Sequence, residues 1–291
     1  MTPPTAPRIP LRCPVCAGSL GRADGTARTL ACAAGHRFDA ARQGYFNLLA
    51  GKGTSFREDT GDMVAARADF LAAGHYAPLA DAVAVEAARG VPTRNGEAAR
   101  ILDAGAGTGY YLARVLAALE AATGAPPAAV ALDISRQAMR RAAKLPGTTA
   151  LVWDLWRPLP LEDGGVDVLL NVFAPRNGPE YRRVLAPGGV AVVVTPLPEH
   201  LAEASELLGL LAIAPGKEET VAASLGDGFE LLGTRQVRAA LRLSAADAVR
   251  LAVMGPAGHH LDAHALRRRV DAAHPPVAVT ASFRVQTFRR T

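Results

Sequence analysis

Three things are scarce in this chain, and each scarcity closes a class of explanation. Cysteine occurs three times in 291 residues, all within the first 32. An odd number, with no apolar leader ahead of it, is not the framework of a disulfide-stapled secreted domain. Long apolar runs are also missing: the opening MTPPTAPRIPLR holds nothing of signal-peptide length, and no later run nears the roughly 18 apolar residues of a membrane span. A cytoplasmic protein with no membrane partner is therefore expected. Lysine is nearly absent, three against 29 arginines. The planar guanidinium fork suits phosphate, but abundant Ala, Arg, Gly and Pro beside scarce Lys is what a GC-rich coding sequence gives, so the ratio alone identifies no partner.

The position of the charge says more than its total. The chain carries +5, yet residues 1–57 hold eight basic residues against Asp24 and Asp39, a balance of +6 that leaves the other 234 residues at −1. The N-terminal segment is thus the expected contact for a polyanion. It also holds every cysteine. Cys13-x2-Cys16, a gap of fifteen, then Cys32-x3-His36 is ligand spacing for a tetrahedral Cys3His zinc site with no cysteine left over. Four protein ligands leave no open position, so one structural Zn2+ is expected, stapling a segment too poor in large apolar residues to fold without it.

The rest of the chain is organised around Ile101 to Leu116, ILDAGAGTGYYLARVL. A short apolar strand runs into a glycine loop and then into a helix from Tyr110 to Leu119. Gly105, Gly107 and Gly109 fall at G-x-G-x-G, one residue tighter than the dinucleotide fingerprint, and glycine there lets the backbone reverse and a ligand approach closely. With Asp103 before it, the loop resembles motif I of the class I S-adenosylmethionine (SAM) methyltransferases. Val130 to Asp133 reads as the next strand, ending in a carboxylate 24 residues after Gly109, where Rossmann-like folds bind ribose hydroxyls. Cofactor contacts are therefore expected from Asp103, Gly105, Gly107, Thr108, Gly109 and Asp133.

Apolar runs alternate with helical segments, which predicts an α/β fold with a doubly wound, mostly parallel sheet. Strands are expected near 100–103, 129–133, 149–153, 166–173 and 189–195, with two longer ones near 229–243 and 277–290. Helices are expected over 63–73, ended by Gly74, and over 78–88, before a break at 90–96. Three units follow: a zinc ribbon for RNA recognition over 1–50, a linker with helices over 51–95, and a catalytic domain over 96–291.

CPVC, CAAGHRFD, GYFNLL and GDMVAARADFLAAGHYAPL together resemble the 23S ribosomal RNA guanine-N1 methyltransferases, which join a zinc ribbon to a class I methyltransferase domain. The resemblance is strongest over 12–81 and 101–200 and weakens after Leu201. It implies methyl transfer from SAM to N1 of a guanine in a hairpin loop of 23S rRNA (domain II, hairpin 35, nucleotide 748 ahead of 745). Some relatives serve macrolide resistance, and a homodimer is compatible with the family. It further implies that Tyr76 closes over the cofactor and His200 touches it, that Asp154 contacts the adenine, and that Asn171, with the Ala174 carbonyl and walls from Phe173 and Pro175, holds the guanine. Bland readings stand beside these: Asp154 as a turn carboxylate, Phe173 as core. Asp39, Glu58, Asp59 and Asp154 are unranked candidates for the base that takes the N1 proton. His259 and His260 read as a surface loop. Two other functions remain open on sequence: a small-molecule SAM methyltransferase of natural-product biosynthesis, and a non-catalytic RNA-binding protein, which loss of the glycine loop or Asp133 would have favoured.

Overall fold

The computed structural model describes residues 8–23, 28–49, 53–91, 98–211 and 217–291. The break expected at 90–96 lies mostly outside them. Four short strands, β1 (Leu11–Arg12), β2 (Ser19–Arg22), β3 (Thr29–Cys32) and β4 (Arg37–Asp39), form an antiparallel sheet in that order. Both metal-ligand pairs sit on its turns. Ala17 N donates to Cys13 O and Gly35 N to Cys32 O, with Ala17 and Gly35 at positive φ.

The second sheet has eight strands. In chain order these are β5 (Phe46–Asn47), β6 (Arg100–Ala104), β7 (Ala128–Asp133), β8 (Thr148–Val152), β9 (Val166–Val172), β10 (Leu185–Pro196), β11 (Phe229–Leu243) and β12 (Val277–Arg290). Their spatial order is β11-β12-β10-β9-β6-β7-β8-β5. The pairs from β10 through to β5 are parallel, and β12 runs antiparallel to both β10 and β11. The seven expected strands are all present, with the doubly wound sheet and its long antiparallel pair. Strand β5 was not foreseen: the GYFNLL stretch leaves the ribbon and pairs Phe46 with Leu151 and Asn47 with Val152.

Successive residues of the central strands face opposite layers. Ile101, Ala129, Ala131, Val168, Leu170 and Val192 point to one apolar cluster. Leu102, Val130, Leu132, Leu169 and Val193 point to the other. The first layer is covered by α1 (Gly61–Ala72), capped by Thr60, by α2 (Ala77–Gly90), with Pro78 in its first turn, and by α3 (Tyr110–Thr123). These agree with the expected helices to within about four residues at each end. The second layer receives the ribbon itself: Ile9, Leu11, Leu20 and Leu30 pack with Phe46, Leu48, Leu102 and Leu161.

Strand order reverses between β6 and β9, and an open α/β sheet places its ligand crevice beyond the carboxyl ends of the strands at such a point. The loops after β6, β7, β8, β9 and β10 therefore define the site. Among the described residues no helix is long and apolar enough to cross a membrane.

Candidate active site

The glycine loop is built from backbone that side chains resist. Gly105, Gly107 and Gly109 have φ of 88°, 52° and 80°. A Cβ on Gly105 would lie 2.3 Å from the Ala174 Cβ, and one on Gly109 2.8 Å from Leu145 Cδ1, whereas one on Gly107 would meet only Arg67 at 3.7 Å. Gly105 and Gly109 are glycine for packing. Gly107 is glycine beside space, where a ligand can approach the backbone. Its N–H donates to Asp133 Oδ2 at 2.9 Å, and Ser135 N donates to Oδ1 at 2.8 Å.

Asp103 is buried at the end of β6, and no hydrogen bond to its carboxyl is seen among the described residues. Burial pushes its pKa up to about 8, with the Asp133 charge adding to the shift. Asp133 is raised too, by burial, against the pull of its two backbone N–H donors. The charge of Arg67 reaches Asp133, whereas Asp103 is held by burial beside a second acid, an environment that favours a positively charged ligand.

Arg67, on α1, ion-pairs with Asp59 at 2.6 Å and donates to the Met254 carbonyl at 2.6 Å. It hangs beside Gly107 and was not singled out by sequence, because nothing in its neighbourhood marks one arginine of many. Of the acids considered as base, Asp59 is held in this pair, Glu58 accepts from Arg136 N and Nη2, and Asp39 accepts from Thr29 on the ribbon.

Tyr76 is buried as the N-cap residue of α2, its hydroxyl 3.5 Å from His200 Nε2. Ser282 N donates to His200 Nδ1 at 3.1 Å, which places the ring proton on Nε2. Burial takes the His200 pKa down to about 4, so the ring is neutral at physiological pH and offers a donor. Phe283 packs against both rings, at 4.9 Å from Tyr76 and 4.7 Å from His200. It too escaped the sequence reading, since an aromatic inside a long strand carries no mark of a site.

After β9 the chain turns through Phe173 at φ 56°, a left-handed conformation that a non-glycine residue holds only when its surroundings impose it. The residue is 44% exposed, and its ring lies between Tyr111 (6.3 Å) and Phe283 (5.5 Å). The core reading of Phe173 does not hold. Asn171, by contrast, is fully buried: Nδ2 donates to Pro175 O at 2.8 Å and to the Tyr181 hydroxyl at 2.9 Å, while Oδ1 has no partner among the described residues. Its amide fixes the turn that carries Phe173 to Pro175.

Asp154, after β8, is also buried and engaged. Oδ2 accepts from Thr54 Oγ1 at 2.8 Å and Oδ1 from Trp156 N at 3.0 Å. His259 and His260 sit at a short helical turn, partly buried and exposed respectively.

In the ribbon, the donor atoms of Cys13, Cys16, Cys32 and His36 all lie within 4.8 Å of one another. Cys16 and Cys32 Sγ are 3.6 Å apart, and His36 Nδ1 is 3.7 Å from Cys13 Sγ and 3.3 Å from Cys32 Sγ. Tetrahedral zinc with Zn–S near 2.3 Å and Zn–N near 2.0 Å sets edges of about 3.5–3.8 Å. The donor set fits.

The chain resembles several known proteins. Residues 11–52 match the zinc-ribbon family described as RlmA, N-terminal. A Streptomyces fradiae protein named 23S rRNA (guanine(748)-N(1))-methyltransferase is 47% identical over 261 residues, 89% of each chain. A Micromonospora griseorubida protein with a provisional 23S rRNA (guanine-N(1)-)-methyltransferase name is 49% identical over 96% of this chain and 97% of its own. Among solved structures, the [4+2]-cyclase SpnF superposes with a TM-score of 0.47 at 21% identity, covering 72% of this chain and 80% of that one.

Proposed function

The chain belongs to the family of 23S rRNA (guanine-N1)-methyltransferases, and we propose that it methylates N1 of guanine 748 in hairpin 35 of 23S rRNA, with macrolide resistance as the consequence in its cell. The observation that carries this is the likeness across nearly the whole chain to a relative named for that nucleotide. The small-molecule and non-catalytic readings have no comparable support, and the glycine loop and Asp133 are intact. We place the enzyme in the cytoplasm with its ribosomal substrate. We also favour a homodimer, because the edge strand β11 exposes Leu231 and Leu232.

SAM supplies an electrophilic methyl on a sulfonium. The residues of the crevice fit it: an open backbone at Gly107 in the Gly105–Gly109 cradle, Thr108 within it, and acids at Asp103 and Asp133 for the cationic and ribose portions. Tyr76 and His200 close the opposite wall, His200 donating through Nε2. Asp154 holds the turn at the adenine end. The target guanine enters against Phe173, between Tyr111 and Phe283, with the Ala174 carbonyl at its edge and Asn171 holding that turn in place. Rate then comes from positioning two reactants in line and excluding water. Every acid considered as base is already paired or hydrogen-bonded, so we assign the N1 proton to water. In this scheme residues 1–50 recognise RNA, 51–95 form a linker with helices and 96–291 catalyse.

Mass spectrometric mapping of methylated guanines in 23S rRNA, with and without the protein, tests the reading. N1 methylation at 748 is expected. An unmodified 748 in cells holding zinc-loaded, SAM-binding protein would overturn it.

A further inference from the structure

Phenylalanine and tryptophan are few in this chain, at eight and two. Seven of those ten are buried or half-buried. The other three, Phe173, Trp156 (55% exposed) and Phe56 (49% exposed), stand on segments that hydrogen bonds join to one another. Phe173 follows β9, Trp156 follows β8, and Phe56 lies in the strap that Thr54 and Gly53 tie to Asp154 and Arg157 after β8.

Hydrogen bonds join the three supports in series. Asn177 Nδ2, past the Phe173 turn, donates to Leu155 O at 2.8 Å. The next residue's N–H, that of Trp156, donates to Asp154, and Thr54 donates to the other oxygen of the same carboxylate. Thr54 Oγ1 accepts in turn from Phe56 N at 3.3 Å. Arg157 donates to Gly53 O and so ties the strap down a second time. One buried carboxylate thus holds two loops, each ending in an aromatic ring that faces water. A single exposed ring needs no explanation, but exposed rings held on hydrogen-bonded neighbouring loops are an arrangement that an interaction site uses.

We propose that Trp156 and Phe56 form a stacking platform for unpaired nucleobases of the RNA loop that flank the target guanine, with Asp154 as the positioning residue that holds both. The inference rests on the functional reading above. Single-stranded RNA is the occupant that fits, because unstacked loop bases are recognised on aromatic faces. The charge agrees. Arg57, next to Phe56, is exposed and makes no ion pair among the described residues, while Arg157 is engaged by Asp154 and Gly53 O. The target base at Phe173 and its neighbours at Trp156 and Phe56 would then lie along one hydrogen-bonded row.

The test uses the full-length, zinc-loaded protein and an RNA hairpin carrying the hairpin 35 loop. Trp156→Ala should weaken hairpin binding about 5- to 150-fold, the range of one base–aromatic stack. Trp156→Phe should recover most of it, and the slope of log K against log salt should stay at its wild-type value, since no phosphate contact is lost. Phe56→Ala should behave alike, and SAM affinity should hold in all three. In a Trp153→Phe background, where Trp156 is the remaining tryptophan, the hairpin should quench its emission and a fully paired duplex should not. Wild-type affinity in the Trp156→Ala, Phe56→Ala double variant would overturn the platform. So would a change of salt slope, or a change of oligomeric state on substitution, which would assign this face to a second copy of the chain. Failure of the wild-type protein to methylate the hairpin strikes the functional reading, whereas methylation with undiminished binding by the double variant strikes the platform alone.

Discussion

Asp103 is buried beside a second acid, Asp133, and the consequence is measurable on either side of ligand binding. The Asp103 carboxyl titrates near 8 in the fold and near 3.9 unfolded. The folded state therefore binds more protons over that interval, and its stability falls as pH rises from about 4 through 8. Asp103→Asn removes this penalty: the free protein should melt higher than wild type at pH 8.5, by about 2–4 °C for each kcal/mol recovered, and the two should converge near pH 4. Binding shows the opposite sign. SAM is cationic, so wild-type affinity should climb as the carboxylate forms toward pH 8, while the variant should bind about 10- to 100-fold more weakly and lack that climb. Calorimetry across pH 6.5 to 9 checks both, and equal profiles would remove Asp103 from the cofactor site. At Gly107 the argument is steric. A Cβ there meets only Arg67 at 3.7 Å, so Gly107→Arg should keep a cooperative thermal transition while occupying the ligand's space. No heat with SAM is expected, and undiminished affinity would mean the ligand lies elsewhere.

At the scale of elements, what could be read ahead of the structure follows from what sets each element. Strands β6 to β9 are apolar runs ended by glycine, proline or polar residues, and their edges were visible for that reason. Strand β5 was not, because a two-residue strand has no period and its partners Leu151 and Val152 lie about a hundred residues away. The role expected for Asn171 was obscured in a related way. Every residue of β9 is buried, so alternation cannot say which way a side chain points, and the amide turned out to face Pro175 and Tyr181. Asp154 was visible as a turn residue, but its link to Thr54 spans a hundred positions. The ribbon, by contrast, was legible down to its ligands, since metal spacing is local. Elemental analysis should find one zinc per chain. Cys32→Ser should lose most of it and lower the melting temperature, because the zinc knuckle at Cys13 is part of the same apolar layer as Leu11, Leu20 and Leu161. Full zinc content in that variant would rule out the Cys3His site.

For the whole molecule the question is whether the N-terminal segment recognises RNA independently of the sheet that holds the cofactor. The charge balance separates them, with +6 in residues 1–57 and −1 in the remainder. The packing joins them. Phe46 and Leu48 are fully buried in the layer beneath β6 to β10, Arg22 lies over the Phe46 ring at 4.8 Å, and Arg12 N donates to Pro160 O. Deleting residues 1–50 would remove β5 and these side chains together, and losing a buried Phe alone costs about 3–5 kcal/mol. The truncated chain should therefore unfold at lower temperature and bind SAM poorly, whatever the ribbon does for RNA. A surface substitution avoids this. Arg37 and Arg42 are exposed, and Arg12, 3.8 Å from Asp163, has a 40% exposed side chain. Replacing all three by alanine in the zinc-loaded protein should leave the melting temperature and SAM affinity near wild type. If the three contact phosphates, hairpin affinity should fall and the slope of log K against log salt should shrink by about 2–3, at roughly 0.7 to 0.9 per contact. The platform variants should leave that slope unchanged, so the two series separate charge recognition by the ribbon from base stacking at the crevice. Binding as tight and as salt-sensitive as wild type in the triple variant would remove the ribbon's basic face from RNA recognition and leave the zinc ribbon as a packing element under the sheet.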